Sequence, residues 1–197
     1  MWFRDLRRRE MVGLGLLVVL FASGAVMQGR AEPELPSAEE SRRVGWHDPA
    51  ASQEHARDIF ERVNDERVAR GSPPLVWDSE LADLAQGWSV QMIASGTFEH
   101  SPGEYRAVEH FLGTGENIAI SHPTTAEVHV GLMESDGHRA NILEPDFDAL
   151  GVGVVCRLDG MLWVTQIFGL EQPRPAGPPV DLSTDPITRE DRGLRCP

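Results

Sequence analysis

The 197-residue chain contains no lysine. Its 18 basic residues are therefore all arginine, set against 31 acidic ones, for a formal net charge of −13. A surface of that sign repels phosphate backbones and anionic headgroups, which excludes nucleic acid as a partner. Only two cysteines are present, Cys156 and Cys196, and neither stands near the N-terminal apolar run, so a lipid-modified cysteine anchor has no support. No HExxH spacing, no Ser/Cys-His-Asp nucleophile motif and no internal repeat occurs, so local motifs establish no catalytic chemistry. With 41% hydrophobic and 25% charged residues, the composition suits one compact domain with extensions.

The N-terminus has the form of an export signal. A basic stretch, MWFRDLRRRE, precedes the uncharged run Met11 to Met27, whose 17 residues are short for a membrane span. Cleavage after Ala25 or Ala31 satisfies the small-residue rule. An uncleaved signal anchor, which would place the chain at a membrane, is the alternative. Arg8-Arg9-Glu10-Met11-Val12 also loosely fits a twin-arginine signal. The expected organisation is a signal peptide or anchor over 1–31, a Pro/Glu/Ser-rich linker over 32–51, a globular domain over 52–170 and a Pro-rich tail over 171–197. The expected location is secreted, extracellular or periplasmic. Outside the cytoplasm the two thiols are expected to pair and pin the tail to the sheet, contributing roughly 3–4 kcal/mol. The alternative is a buried Cys156 and a separate surface thiol at Cys196.

Within the domain, apolar spacing predicts a helix capped by Ser52 and ended by Gly71, with Ala56, Ile59, Phe60 and Val63 on one stripe. A second helix runs from the Asp78 cap to Gly96, carrying Leu81, Leu84, Ala85, Trp88 and Met92. A shorter helix is expected over YRAVEHFLG and another from a threonine cap through TAEVHVGLMES, with Val128 and Leu132 inward. Strands over 149–157 and 161–168 flank the turn dipeptide Asp159-Gly160, and ENIAIS, 116–121, is a third strand. Trp77, Trp88 and Trp163 are expected in the core. Asp146 and Asp148 lack the glycine and terminal glutamate of a calcium loop and read as turn caps.

Five ordered blocks carry a resemblance: VNDERVARGSPPLVWDSEL, GTFEHS, GENIA, SDGHRANILEPDFDALGVGV and WVTQIFG. Over about residues 55–170 the chain resembles the bacterial branch of the CAP superfamily, the SCP domains related to cysteine-rich secretory, antigen-five and pathogenesis-related proteins. The resemblance implies an α+β fold, a three-layer α-β-α sandwich with a central antiparallel sheet and a broad cleft. It also implies a cleft tetrad of two His and two Glu that holds a divalent metal such as zinc. His100 in the FEHS block, Glu116 in the GEN block and His138 in the Gly-His block match three of the four. The family spacing for the second glutamate falls on Ser135, a departure from the pattern, and leaves Glu134, one residue earlier, as the candidate. Taken alone, each of the seven histidines (47, 55, 100, 110, 122, 129 and 138) reads as a surface or packing residue.

The expected neighbours of the tetrad are structural: Asn117 and Asn141 bonding loop backbone, and Arg139 pairing with an acid. Two functions fit this reading. The first is a secreted binding module that takes a metal and an extracellular lipid, peptide or envelope component. The second is a metal-dependent hydrolase or protease with His138 or Glu116 as general base. Ser101, beside His100, is the nearest nucleophile candidate. The binding module is preferred, because catalysis needs an activated nucleophile or metal-bound water that no motif here supplies. A spacer domain without any ligand is the third alternative.

Overall fold

A computed structural model of the chain describes residues 49–171, 179–183, 186 and 191–196. The expected signal segment, with both cleavage points, and most of the linker lie outside the described residues. Helix α1 spans Pro49–Ala69. It starts three residues before the expected Ser52 cap, consistent with the suitability of proline for a first turn, and Ser52 is buried inside it. A short strand β1, Val76–Trp77, leads into α2, Ser79–Ser95. The Asp78 side chain accepts from Leu81 N at its start, and Gly96 ends it at φ 70°, a left-handed conformation that glycine adopts without a Cβ penalty.

The chain then forms β2, Gly113–His122, α3, Thr125–Glu134, α4, Asp136–Leu143, and the hairpin β3, Ala149–Cys156, with β4, Leu162–Leu170. The sheet order is β1-β3-β4-β2. Its three long strands are antiparallel, as expected, but β1 runs parallel to β3, so the sheet is mixed. The parallel addition is short, with Val76 N donating to Asp148 O at 2.9 Å and Asp78 N to Leu150 O at 3.2 Å.

Two further expectations are corrected. Residues 105–113 are not a helix. Tyr105 N bonds Pro102 O and Phe111 N bonds Val108 O in separate turns, and β2 already begins at Gly113. The three-residue spacing of Tyr105, Val108 and Phe111 is met by turns that drop these groups onto α2. Conversely, the stretch around His138, to which the sequence pattern assigns neither helix nor strand, is itself the helix α4. It follows α3 directly through Ser135, whose carbonyl accepts from Arg139 N at 2.8 Å.

The sheet separates two cores. On one face α1, α3 and α4 bury Ile59, Val63, Val128, Leu132 and Ile142 against Leu150, Val154, Val164 and Phe168. On the other, α2 lies against the sheet backbone. A Cβ on Gly151 would fall 2.1 Å from Ala82 N, and one on Gly153 2.1 Å from Gln86 N, so only glycine allows this approach. Gln86 also closes the strand edge beyond β1, donating from Nε2 to Val154 O at 3.0 Å and accepting from Val154 N at 2.9 Å. Trp88 and Trp163 join this second core, whereas Trp77 is only partly buried, with the Arg57 guanidinium 3.7 Å above its ring.

Arginines buried against backbone fix the connections. Arg67, fully buried, donates to the carbonyls of Pro73, Ile142, Glu144 and Phe147, tying α1 to the end of α4. The described part of the tail is docked. Arg70 Nη1 donates to Ser183 O at 2.7 Å, Val180 packs on the main core, and Thr125 N donates to Leu194 O at 3.0 Å. Cys156 and Cys196 form a disulfide with a Cα separation of 5.5 Å, as expected.

Candidate functional site

The site is built on β2, the edge strand of the sheet. Successive side chains of a strand point to opposite faces, so Glu116, opposite Ile167, projects to the α2 side while Asn117, opposite Gln166, projects to the α1 side. The Glu116 side chain is 1% exposed. Oε1 accepts from Ser101 N at 2.9 Å and lies 2.8 Å from His100 Nδ1, while Oε2 accepts from Ser101 Oγ at 2.5 Å. Arg106 Nη1 stands 3.9 Å from Oε1 and donates to Ser101 Oγ at 3.0 Å. The His100 loop is held from below by the Trp88 indole, whose Nε1–H donates to Glu99 O at 2.9 Å.

A carboxylate offers acceptors only, so His100 Nδ1 carries the proton and Nε2 keeps its lone pair. The His100 side chain is 58% exposed, which leaves that lone pair on an open surface. A carboxylate behind one ring nitrogen is also the arrangement that orients and strengthens a metal-ligating imidazole.

His138 is partly buried in α4. Its pKa is lowered from 6.5, first by burial and second by its electrostatic interaction with His100, so the neutral ring is favoured. Asn117 Nδ2 donates to His138 O at 3.2 Å and to Gln166 Oε1 at 3.0 Å. Asn141 Nδ2 donates to Glu116 O at 3.1 Å and to Asn117 Oδ1 at 2.9 Å. These two asparagines fasten α4 to the strand edge, the structural role expected of them. Arg139 pairs with Asp136 at 2.6 Å and donates to Met133 O at 2.8 Å. Asp148 Oδ2 accepts from Glu171 N at 2.9 Å, so instead of capping a local turn it ties the residue before β3 to the residue after β4.

The structure therefore brings His100 and Glu116 into direct contact, places His138 within electrostatic reach of His100, and leaves Glu134 exposed in the last turn of α3. Among the described residues, the four do not form a set of three or more ligand atoms within 4.8 Å of one another. Ser101 and Arg106 complete the Glu116 environment. The serine is visible in the FEHS block, but nothing local in the sequence pointed to the arginine. Ser101 is buried with its hydroxyl between Glu116 and Arg106, which is not the position of a free nucleophile.

The model of the cysteine-rich secretory protein family, CAP, matches residues 60–168. This chain belongs to the CAP family. The chain is 31% identical to the uncharacterized protein YkwD of Bacillus subtilis over 142 residues, 68% of this chain and 54% of YkwD. An extracellular protein containing an SCP domain, from Bacillus anthracis, is similar in structure with a TM-score of 0.52 and 30% identity, covering 64% of this chain and 45% of that one. An outer surface protein from Borrelia burgdorferi shares the fold at a TM-score of 0.57 and 17% identity, covering 61% of this chain and 96% of that one. The chain thus spans about half the length of YkwD and of the anthracis protein. Among the described residues no helix is long and apolar enough to cross a membrane.

Proposed function

We propose that this CAP protein is an exported binding module whose cleft at the β2 edge takes a divalent cation, zinc by its donor chemistry, together with an extracellular lipid, peptide or envelope ligand. The observation that carries the reading is the buried Glu116 carboxylate set behind a solvent-exposed His100. Two imidazoles and a carboxylate are the right donor types for zinc. His100 and His138 would supply ring nitrogens, and Glu116 would orient His100. A bound cation would add a positive, Lewis-acidic centre to the cleft floor. Phe98, 48% exposed and edge-on to Trp163 at 6.3 Å, adds an apolar wall beside His100 for the ligand. The anthracis protein's description as extracellular supports the location, together with the basic and apolar N-terminal segment.

The alternative hydrolase reading expects His138 or Glu116 as general base; with the Glu116 oxygens engaged by His100 and Ser101, that role would fall to His138 or to the exposed His100 that Glu116 orients. It would need water as nucleophile, because the Ser101 hydroxyl is already committed.

Zinc calorimetry on the chain recovered outside the cell tests the proposal. His100→Ala and His138→Ala are expected to abolish measurable binding, Glu116→Gln to weaken it about 10–100-fold, and Glu134→Ala to leave it unchanged. Wild-type affinity in both histidine variants would overturn the reading. The intact mass of the same material should show loss of the residues up to Ala25 or Ala31.

A further inference from the structure

A second group of metal-ligating side chains converges away from the cleft. Cys156 ends β3, Cys196 lies in the C-terminal segment, and His55 is in the second turn of α1. A ring nitrogen of His55 and both sulfurs lie within 4.8 Å of one another. His55 is 3% exposed and Cys156 1% exposed. His55 Nδ1 stands 2.5 Å from the carbonyl oxygen of Ala51. A carbonyl only accepts, so Nδ1 carries the proton and Nε2 the lone pair. That Nε2 is buried without a hydrogen-bond partner. An unpaired buried acceptor costs free energy, and this tautomer, with the other nitrogen donating to a backbone carbonyl, is the one a metal-bound imidazole uses.

We propose that His55, Cys156 and Cys196 form a latent Cys2His site for a thiophilic divalent cation, occupied when the disulfide is reduced. A dithiol reductant would deliver two electrons and two protons to the bridge, breaking the S–S bond, leaving two thiols and itself becoming a disulfide. The cation would then displace both thiol protons to solvent and take two thiolates and the His55 lone pair. At Zn–S lengths of about 2.3 Å the sulfurs of a tetrahedral site stand about 3.8 Å apart, so they need to separate only modestly from the bridged position. Two thiolates and an imidazole select zinc-like ions over calcium or magnesium.

The C-terminal segment stays near the site without the covalent bond. Leu194 N donates to Thr125 Oγ1 at 2.8 Å, Thr125 N donates to Leu194 O at 3.0 Å, and Arg195 bridges Thr124. The disulfide and the metal are thus alternative clasps for one chain end. The site shares no residue with the cleft, and the proposal does not rest on the cleft reading.

The test uses the full chain carrying His100→Ala and His138→Ala, so the cleft cannot contribute. It is reduced anaerobically with a phosphine, freed of the phosphine, and titrated with Co(II) as a spectroscopic stand-in for zinc. One Co(II) per chain should bind with a thiolate-to-metal charge-transfer band, and unreduced protein should show no such band. His55→Gln and Cys196→Ser, each checked for native circular dichroism, should bind at least ~10-fold more weakly. Absence of the band in the reduced chain would overturn the proposal. So would full affinity in Cys196→Ser, or in His55→Gln.

Discussion

Glu66 and Glu116 are both removed from solvent, with side chains 0% and 1% exposed, yet their surroundings differ in kind. Glu66 lies within α1 against the guanidinium of Arg70, one turn away, with His129 Nε2 3.3 Å from its other oxygen. Both partners are themselves buried. Glu116 lies on an edge strand, held by a backbone N–H, a hydroxyl and an imidazole that faces water. The first carboxylate is neutralised inside the core and joins elements together. The second is satisfied mostly by uncharged donors, and its charge is felt by an exposed ring. Burial of a carboxylate therefore does not mark a site by itself. What marks one is a partner that opens to solvent.

The sharpest way to break this comparison is to remove Glu66. Glu66→Ala takes the buried carboxylate away from the buried Arg70 guanidinium and should cost about 3–5 kcal/mol of unfolding free energy, read by urea denaturation. A loss below 1 kcal/mol would mean that Arg70 is held well enough by its tail contacts. Glu116→Gln should cost only about 1 kcal/mol. The amide oxygen still accepts from Ser101 N, and its NH2 can donate to Ser101 Oγ. A loss as large as that of Glu66→Ala would remove the distinction between the two.

The smallest effect concerns pH. His138 has its folded pKa lowered from 6.5 by burial and by His100. The unfolded chain therefore binds the proton more readily, and the stability this residue contributes is present above about 6.5 and lost as pH falls through the lower folded value. His138→Gln should flatten the slope of stability against pH just below 6.5 in metal-free protein. An unchanged slope would show that burial of His138 carries no linkage.

Features set by local chemistry were legible in the sequence. Asp78 and Thr124 cap their helices, Gly96 ends α2, and the Gly/Val alternation of β3 and the Asp159-Gly160 turn fall where their residue types demand. Features set by distant partners were not. Strand β1 is two residues long and exists because Asp148 O and Leu150 O accept from Val76 N and from Asp78 N just beyond it. Helix α4 has no side-chain cap bond at Ser135, so no local signal separated it from a loop. Within the site, ordered blocks pointed to His100 and Glu116, which are in contact. The Arg106 interaction follows from a turn region first read as helix. Arg67 shows the same limit from another direction. An arginine in a polar-looking helix reads as surface, but four carbonyls that converge only in the folded chain bury it completely.

The side-chain amide of Gln86 has a consequence for how these molecules behave together. It presents to Val154 one donor and one acceptor, the pair of groups a neighbouring strand would offer, but from a helix. An incoming strand from another copy would have to displace that amide before it could pair at this point, and β1 already occupies the edge beside it. Sheets left open along such an edge are templates for aggregation. Here one glutamine ends the ladder from within the same chain, so resistance to edge-to-edge association at β3 depends on a side chain as well as on the acidic surface.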